Sequence, residues 1–214
     1  MIVVIDYGMG NLHSVRKALE VVGARVKVSS RAEDISRADK IVFPGVGSFG
    51  EAMKELKKRK LIRPIKDAIA AGKPFLGLCL GLQLLFERSE ESPGVKGLCV
   101  LKGEVKKFNP RGQGPGSKGQ KLKVPHMGWN NIVHSSKFMV NSRKILKNIP
   151  NGSYVYFVHS YYAAPENKKD ILTITDYGMK FASSVCKDNI YAFQFHPEKS
   201  QEIGLKMLKN FVNL

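Results

Sequence analysis

Apolar residues fall in unbroken runs through the first part of this chain and in a looser alternation through the rest. Ile2-Val3-Val4-Ile5 is apolar at every position, the pattern of a strand covered on both faces. A turn at Gly8-Met9-Gly10 follows. Asn11 then reads as a helix N-cap, with Val15, Ala18, Leu19 and Val22 at helical spacing behind it. Residues 24–29 alternate like a strand, and residues 40–43 form a second apolar run that ends in Pro44-Gly45-Val46-Gly47. Two basic amphipathic helices are predicted next. The second carries Leu61, Ile65, Ala68 and Ile69 on one face, tolerates Pro64 in its first turn and stops at Gly72. A strand over 74–78 runs straight into an apolar helix from Leu80. Apolar strands separated by helices predict a mostly parallel sheet with helices on both faces.

The second stretch predicts short strands near 98–107, 131–134, 153–158, 171–176, 182–187 and 190–195, punctuated by Gly, Asn, Pro and Lys. A last helix starts after Ser200 and buries Gly204, Met207, Leu208 and Phe211. Residues 109–119 hold four glycines and two prolines and read as a mobile loop, not a domain linker. With no internal repeat and 214 residues, one domain over 1–214 is expected.

Composition narrows the class. No run approaches the length of a membrane span, and the N-terminus lacks a basic segment of the signal-peptide kind. Cys79, Cys99 and Cys186 are scattered, without a CxxC pair, so neither a disulfide framework nor a zinc site is indicated, and a reducing, cytoplasmic setting is expected. The net charge of +17 is concentrated in residues 54–66 and 102–123. Such charge suits a solvated basic surface or an acidic partner. Phe108 is the one aromatic residue in these runs, which leaves no base-stacking platform for nucleic acid.

Candidate chemistry sits in two segments. Gly77-Leu78-Cys79-Leu80-Gly81 has the form of a nucleophile elbow, a sharp strand-to-helix turn whose glycines leave room for close backbone approach. The helix end would favour a thiolate, and the Leu80 N–H would serve an oxyanion. A buried structural cysteine is the plainer alternative. His196-Pro197-Glu198 closes an apolar strand. There an imidazole could meet the thiol while the carboxylate fixes its tautomer, the alternative being a turn with a surface carboxylate. Pro44-Gly45-Val46-Gly47 is a tight turn that could also aim an N–H at a ligand. Gly8-Met9-Gly10 lacks the third glycine of a dinucleotide fingerprint. His13, His126, His134 and His159 have no metal-ligand spacing and read as structural or surface histidines.

Pro44–Gly47, Gly77–Gly81 with Gln83, and His196–Glu198 resemble the signature segments of class I glutamine amidotransferases. Residues 7–12, 125–130, 156–161 and 195–200 resemble, within that family, the glutaminase subunits of imidazole glycerol phosphate synthase. The resemblance implies a flavodoxin-like three-layer α/β/α fold whose mostly parallel sheet gains antiparallel strands in its second half. It implies a Cys79–His196–Glu198 triad, oxyanion amides from Val46, Gly47 and Leu80, and a glutamine pocket of Gln83, Glu91, Ser160 and Tyr161. It further implies a (β/α)8 cyclase partner that receives ammonia through a channel in a heterodimer, with Asn11, Trp129, Tyr156 and Lys199 at the interface. Neither cofactor nor metal is implied, and the glutaminase is expected to stay weak until the partner is bound with its ligand.

Other readings remain open from sequence. A paralogous glutaminase could supply ammonia to a different synthase, such as one that amidates a surface sugar. A cysteine hydrolase with another substrate would use the same fold. A non-catalytic basic protein binding nucleic acid would show salt-sensitive affinity and no glutamine turnover.

Overall fold

The computed structural model describes residues 1–111, 119–136 and 144–214. Most of the expected loop at 109–119 therefore lies outside the described residues. Its flanks meet in an antiparallel bridge between Arg111 and Lys121.

An eight-stranded sheet forms the centre. Its parallel part comprises β1 (Ile2–Ile5), β2 (Val26–Ser29), β3 (Lys40–Gly45), β4 (Phe75–Cys79) and β13 (Ile190–Phe193). The antiparallel part comprises β8 (Val133–His134), β11 (Ile171–Asp176) and β12 (Lys180–Lys187). The order is β2-β1-β3-β4-β13-β12-β11-β8. β4 and β13 pair in parallel, with Phe193 beside Leu78. That pairing brings two segments far apart in sequence to one end of adjacent strands, where open α/β sheets bind ligands.

Strand alternation divides the core in two. Val3, Ile5, Ile41, Phe43 and Phe75 face one cluster, which α3 (Phe49–Lys58) and α4 (Ile62–Ala70) cover with Leu56, Leu61 and Ile65. Ile2, Val4, Val42, Leu76 and Leu78 face the other, covered by α1 (Leu12–Val21) and α6 (Gln201–Val212). Asn11 caps α1 as expected, its Oδ1 accepting from the Ser14 N–H at 3.3 Å. Pro64 sits in the first turn of α4, where its missing N–H costs nothing.

Several boundaries differ from the sequence pattern. A six-residue helix α2 (Ala32–Arg37) separates β2 from β3. It buries Ile35 alone and so shows no periodicity. The apolar helix expected from Leu80 is one turn, α5 (Leu80–Gln83). The chain then turns away because the Leu84, Leu85 and Phe86 carbonyls are taken by N–H groups of residues 98–101. That same use leaves residues 98–101 outside any strand, so the strand expected over 98–107 reduces to β6 (Gly103–Lys107). It pairs with β5 (Arg88–Ser89) and β10 (Tyr161–Pro165). The strand expected at 131–134 is divided: β8 (Val133–His134) joins the central sheet beside β11, while the residues before it form β7 (His126–Asn131), paired with β9 (Tyr154–His159).

Candidate active site

Cys79 ends β4 with φ +52°, a left-handed conformation that non-glycine residues rarely adopt. The flanking glycines make the elbow possible. A Cβ on Gly77 would lie 2.9 Å from the Gly81 carbonyl oxygen, and one on Gly81 would drive into the Phe43 carbonyl. The thiol is 8% exposed and lines a cleft of about 350 Å³. It points its hydrogen at the Val158 carbonyl, 3.8 Å away, and receives the Gln194 amide Nε2 at 3.8 Å.

His196 lines the same cleft. Its Nδ1 lies 2.8 Å from Glu198 Oε1, and both side chains are almost fully buried. Nε2 is buried without a formed hydrogen bond, as is Glu198 Oε2. Burial pulls the imidazole pKa down, but the Cys79 thiol and Glu198 together outweigh it and raise the value from 6.5 to about 10. Cys79 and His196 line one cleft, with no hydrogen bond formed at Nε2. The stacked rings of Phe193 and Phe195, 4.8 Å apart, close off the hydrocarbon side of this strand end.

The remaining expected residues fall into two places. Val46, Gly47, Leu80, Gln83, Glu91, Ser160 and Tyr161 border the cleft. Glu91 also holds the backbone in place. Its Oε2 accepts from the Phe49 N–H at 2.7 Å, and the neighbouring Ser92 Oγ accepts from the Gly50 N–H at 3.0 Å. These bonds fix the start of α3 directly after the Val46–Gly47 turn, so Glu91 both borders the cleft and anchors the segment next to that turn. Trp129, Tyr156 and Lys199 lie outside the cleft on an exposed face of the β7–β9 ribbon. Trp129 and Tyr156 are register partners in edge-to-face contact at 6.1 Å, and Lys199 Nζ sits 5.7 Å from the Tyr156 ring centroid. Met127 and Tyr154, 65% and 61% exposed, extend the patch. Asn11 caps α1, which packs beside the 197–199 turn.

Sequence reasoning missed Gln194 and the pairing of His126 with His159. Gln194 is fully buried and bonds both Gln83 and Cys79. Its signal was a polar residue inside the apolar run 191–195. Of the two readings offered for His126 and His159, structural or surface, the structural one holds. The two histidines are register partners on β7 and β9, buried and joined ring to ring at 3.0 Å. Among the described residues, no cluster of His, Cys, Asp and Glu could hold a metal ion.

An elbow cysteine and a carboxylate-held imidazole share one cleft at the end of a parallel sheet, an arrangement that suits acyl transfer by a cysteine nucleophile. The family described as glutamine amidotransferase class-I matches residues 3–214, and the chain belongs to that family. It is 52% identical to the imidazole glycerol phosphate synthase subunit HisH of Aquifex aeolicus (strain VF5) over 98% of this chain and 94% of that one. It is 45% identical to the protein of the same name from Bacillus cereus (strain G9842), over 99% and 93% of the two chains. A solved glutamine amidotransferase shares the fold over 100% of both chains, with TM-score 0.72 at 15% identity. A chain of PurLQS from Thermotoga maritima does so over 99% of this chain and 97% of its own, at TM-score 0.71 and 16% identity.

Proposed function

We propose that the chain is the glutaminase subunit of an imidazole glycerol phosphate synthase. In this reading it hydrolyses glutamine and hands the ammonia to a (β/α)8 cyclase subunit in the cytoplasmic synthesis of histidine. Support comes from relatives bearing that subunit's name over nearly the whole chain. The observation that carries the reading is the shared use of β9, which touches both Cys79 and His196 while its outer face carries Tyr156.

The chemistry follows from the side chains. The Cys79 sulfur attacks the side-chain amide carbon of glutamine as the thiolate, its proton already held on the His196 ring, whose pKa is raised to about 10. Glu198 Oε1, 2.8 Å from Nδ1, orients and stabilises that imidazolium. The negative oxygen of the tetrahedral adduct is held by the Leu80 N–H and an N–H of the Val46–Gly47 segment. Collapse breaks the carbon–nitrogen bond, and His196 returns its proton to the departing ammonia. A water deprotonated by His196 then opens the thioester and releases glutamate. Gln83, Glu91, Ser160 and Tyr161 hold the glutamine amino and carboxylate groups. One oxygen of Glu91 already anchors Phe49, so the other serves the ammonium.

In this reading the exposed face bearing Trp129, Tyr156 and Lys199, with Asn11 beside it, meets the cyclase in a heterodimer. Co-expression with a cyclase barrel subunit tests the proposal. The expected result is a one-to-one complex whose glutamine hydrolysis rises when the cyclase ligand is added. A purified, folded chain that neither binds the barrel nor releases glutamate in its presence would overturn it.

A further inference from the structure

We infer that His159, backed by His126, is a positioning residue for glutamine: through the Tyr161 carbonyl it sets the carboxamide of Gln83 at the wall of the cleft. The inference rests on the glutaminase reading of that cleft.

The hydrogen bonds fix every proton in the chain. Tyr161 O can only accept, so His159 Nδ1, 2.9 Å away, carries a hydrogen. Burial pushes the pKa of His159 down to about 3 and that of His126 to about 4, so both rings are neutral at pH 7. His159 Nε2 is therefore an acceptor, and His126 Nδ1 donates to it at 3.0 Å. His126 Nε2 in turn accepts from Asn130 Nδ2 at 3.4 Å, an amide already oriented by its 2.9 Å bond to the Asp176 carbonyl.

The far end of the chain is the glutamine pocket. Gln83 Nε2 donates to the same Tyr161 carbonyl at 2.9 Å and to Gln194 Oε1 at 3.2 Å. Both amide hydrogens are thereby committed, which leaves Oε1 as the group Gln83 presents to a ligand donor. Gln194 then turns its own Nε2 to the Cys79 sulfur. Packing alone gives no reason for two imidazoles here. Phe157 and Tyr177 stack on His126 at 4.8 and 4.1 Å, an environment that an apolar ring would fill equally well. Donation runs from Asn130 to the Tyr161 carbonyl, which His159 and Gln83 share as acceptor, and from Gln83 on through Gln194 to the Cys79 sulfur. The polar chain starts beside Trp129 on β7 and ends on the nucleophile.

The test compares His159→Leu with His159→Asn in the complex with the cyclase subunit. Asparagine places an amide N–H near the position of Nδ1 and can restore the bond to Tyr161. We expect His159→Leu to raise KM for glutamine tenfold or more, with a smaller change in kcat, the mark of lost ground-state binding. His159→Asn recovers most of that loss. Reaction of Cys79 with a diazoketone analogue of glutamine gives a second readout, and its half-saturating concentration should move in parallel. If His159→Leu does not fold, His159→Gln replaces it, since that side chain carries its amide at the Nε2 position instead. Unchanged KM in the Leu or Gln variant, or equal KM in the Asn variant and its comparator, overturns the inference. An inactive wild-type complex overturns the glutaminase reading itself, and the inference with it.

Discussion

The backbone N–H of His196 donates to the carbonyl of Tyr156 at 2.9 Å. The His196 imidazole and the exposed aromatic ribbon are therefore joined through the main chain. Ser200 doubles the tie, accepting from the Tyr156 N–H at 2.9 Å and donating to the His196 carbonyl at 2.6 Å. A shift of β9 on docking would reach both His196 and, through Val158, the Cys79 sulfur. Ser200→Ala removes one strut while leaving every cleft residue in place. It is expected to lower kcat of the complex several-fold more than it lowers glutamine affinity. Steady-state kinetics with saturating cyclase ligand measure the split.

The exposed ribbon face gives a second prediction. Trp129 is 47% exposed and packs edge-on against Tyr156. Buried aromatic anchors at interfaces are worth about 2 kcal/mol or more when truncated. Trp129→Ala is expected to weaken cyclase binding about thirtyfold in calorimetry and to shift the melting temperature of the isolated chain little. Lys199→Ala removes an exposed cation over a ring, worth about 0.5–1 kcal/mol, and should cost only a few-fold in affinity.

Glu198, after Cys79, helps to hold the charge on His196. Replacing it with glutamine keeps the shape but removes the anion. Burial opposes the imidazolium, yet the Cys79 thiol and Glu198 hold the ring's pKa at about 10. That value should fall in Glu198→Gln, and kcat should drop about a hundredfold or more. An NMR titration of His196 beside the rate measurement checks both parts.

The buried histidine pair makes the fold acid-sensitive. His126 and His159 titrate below the ordinary 6.5, at about 4 and about 3, because burial penalises the cation. Their contribution to stability is fully present above pH 6.5 and is lost as pH falls toward those values. His196 has the opposite sign: its contribution is fully present below pH 6.5 and is lost as pH rises through about 10. Urea unfolding should therefore show a loss on the order of a few kcal/mol between pH 7 and pH 4.5. His126→Phe, which keeps a ring in the stack, should flatten that slope.

β1, β3 and β4 were legible because buried strands are written as unbroken apolar runs, the edge strand β2 because it alternates, and the elbow because Gly77 and Gly81 bracket Cys79. The Cys79 elbow and the His196-Pro197-Glu198 segment were legible as two short motifs, and the β4–β13 pairing brings both to one cleft. What sequence patterning missed has physical reasons. β7 carries Gly128, Trp129 and two asparagines and lacks clean alternation, because its exposed face is apolar and its buried face holds His126. The His126–His159 pair comes from antiparallel register, which spacing along the chain does not encode. α2 and β5 are too short for any period to emerge.

The division of labour between the two subunits is decided by synthesis in the complex carrying Cys79→Ala, assayed with each nitrogen source in turn. Glutamine-dependent product is expected to vanish while ammonia-dependent product continues near the wild-type rate. Loss of both activities in a folded, fully assembled complex, or persistence of the glutamine-dependent one, would contradict the assignment of Cys79 as the glutaminase nucleophile.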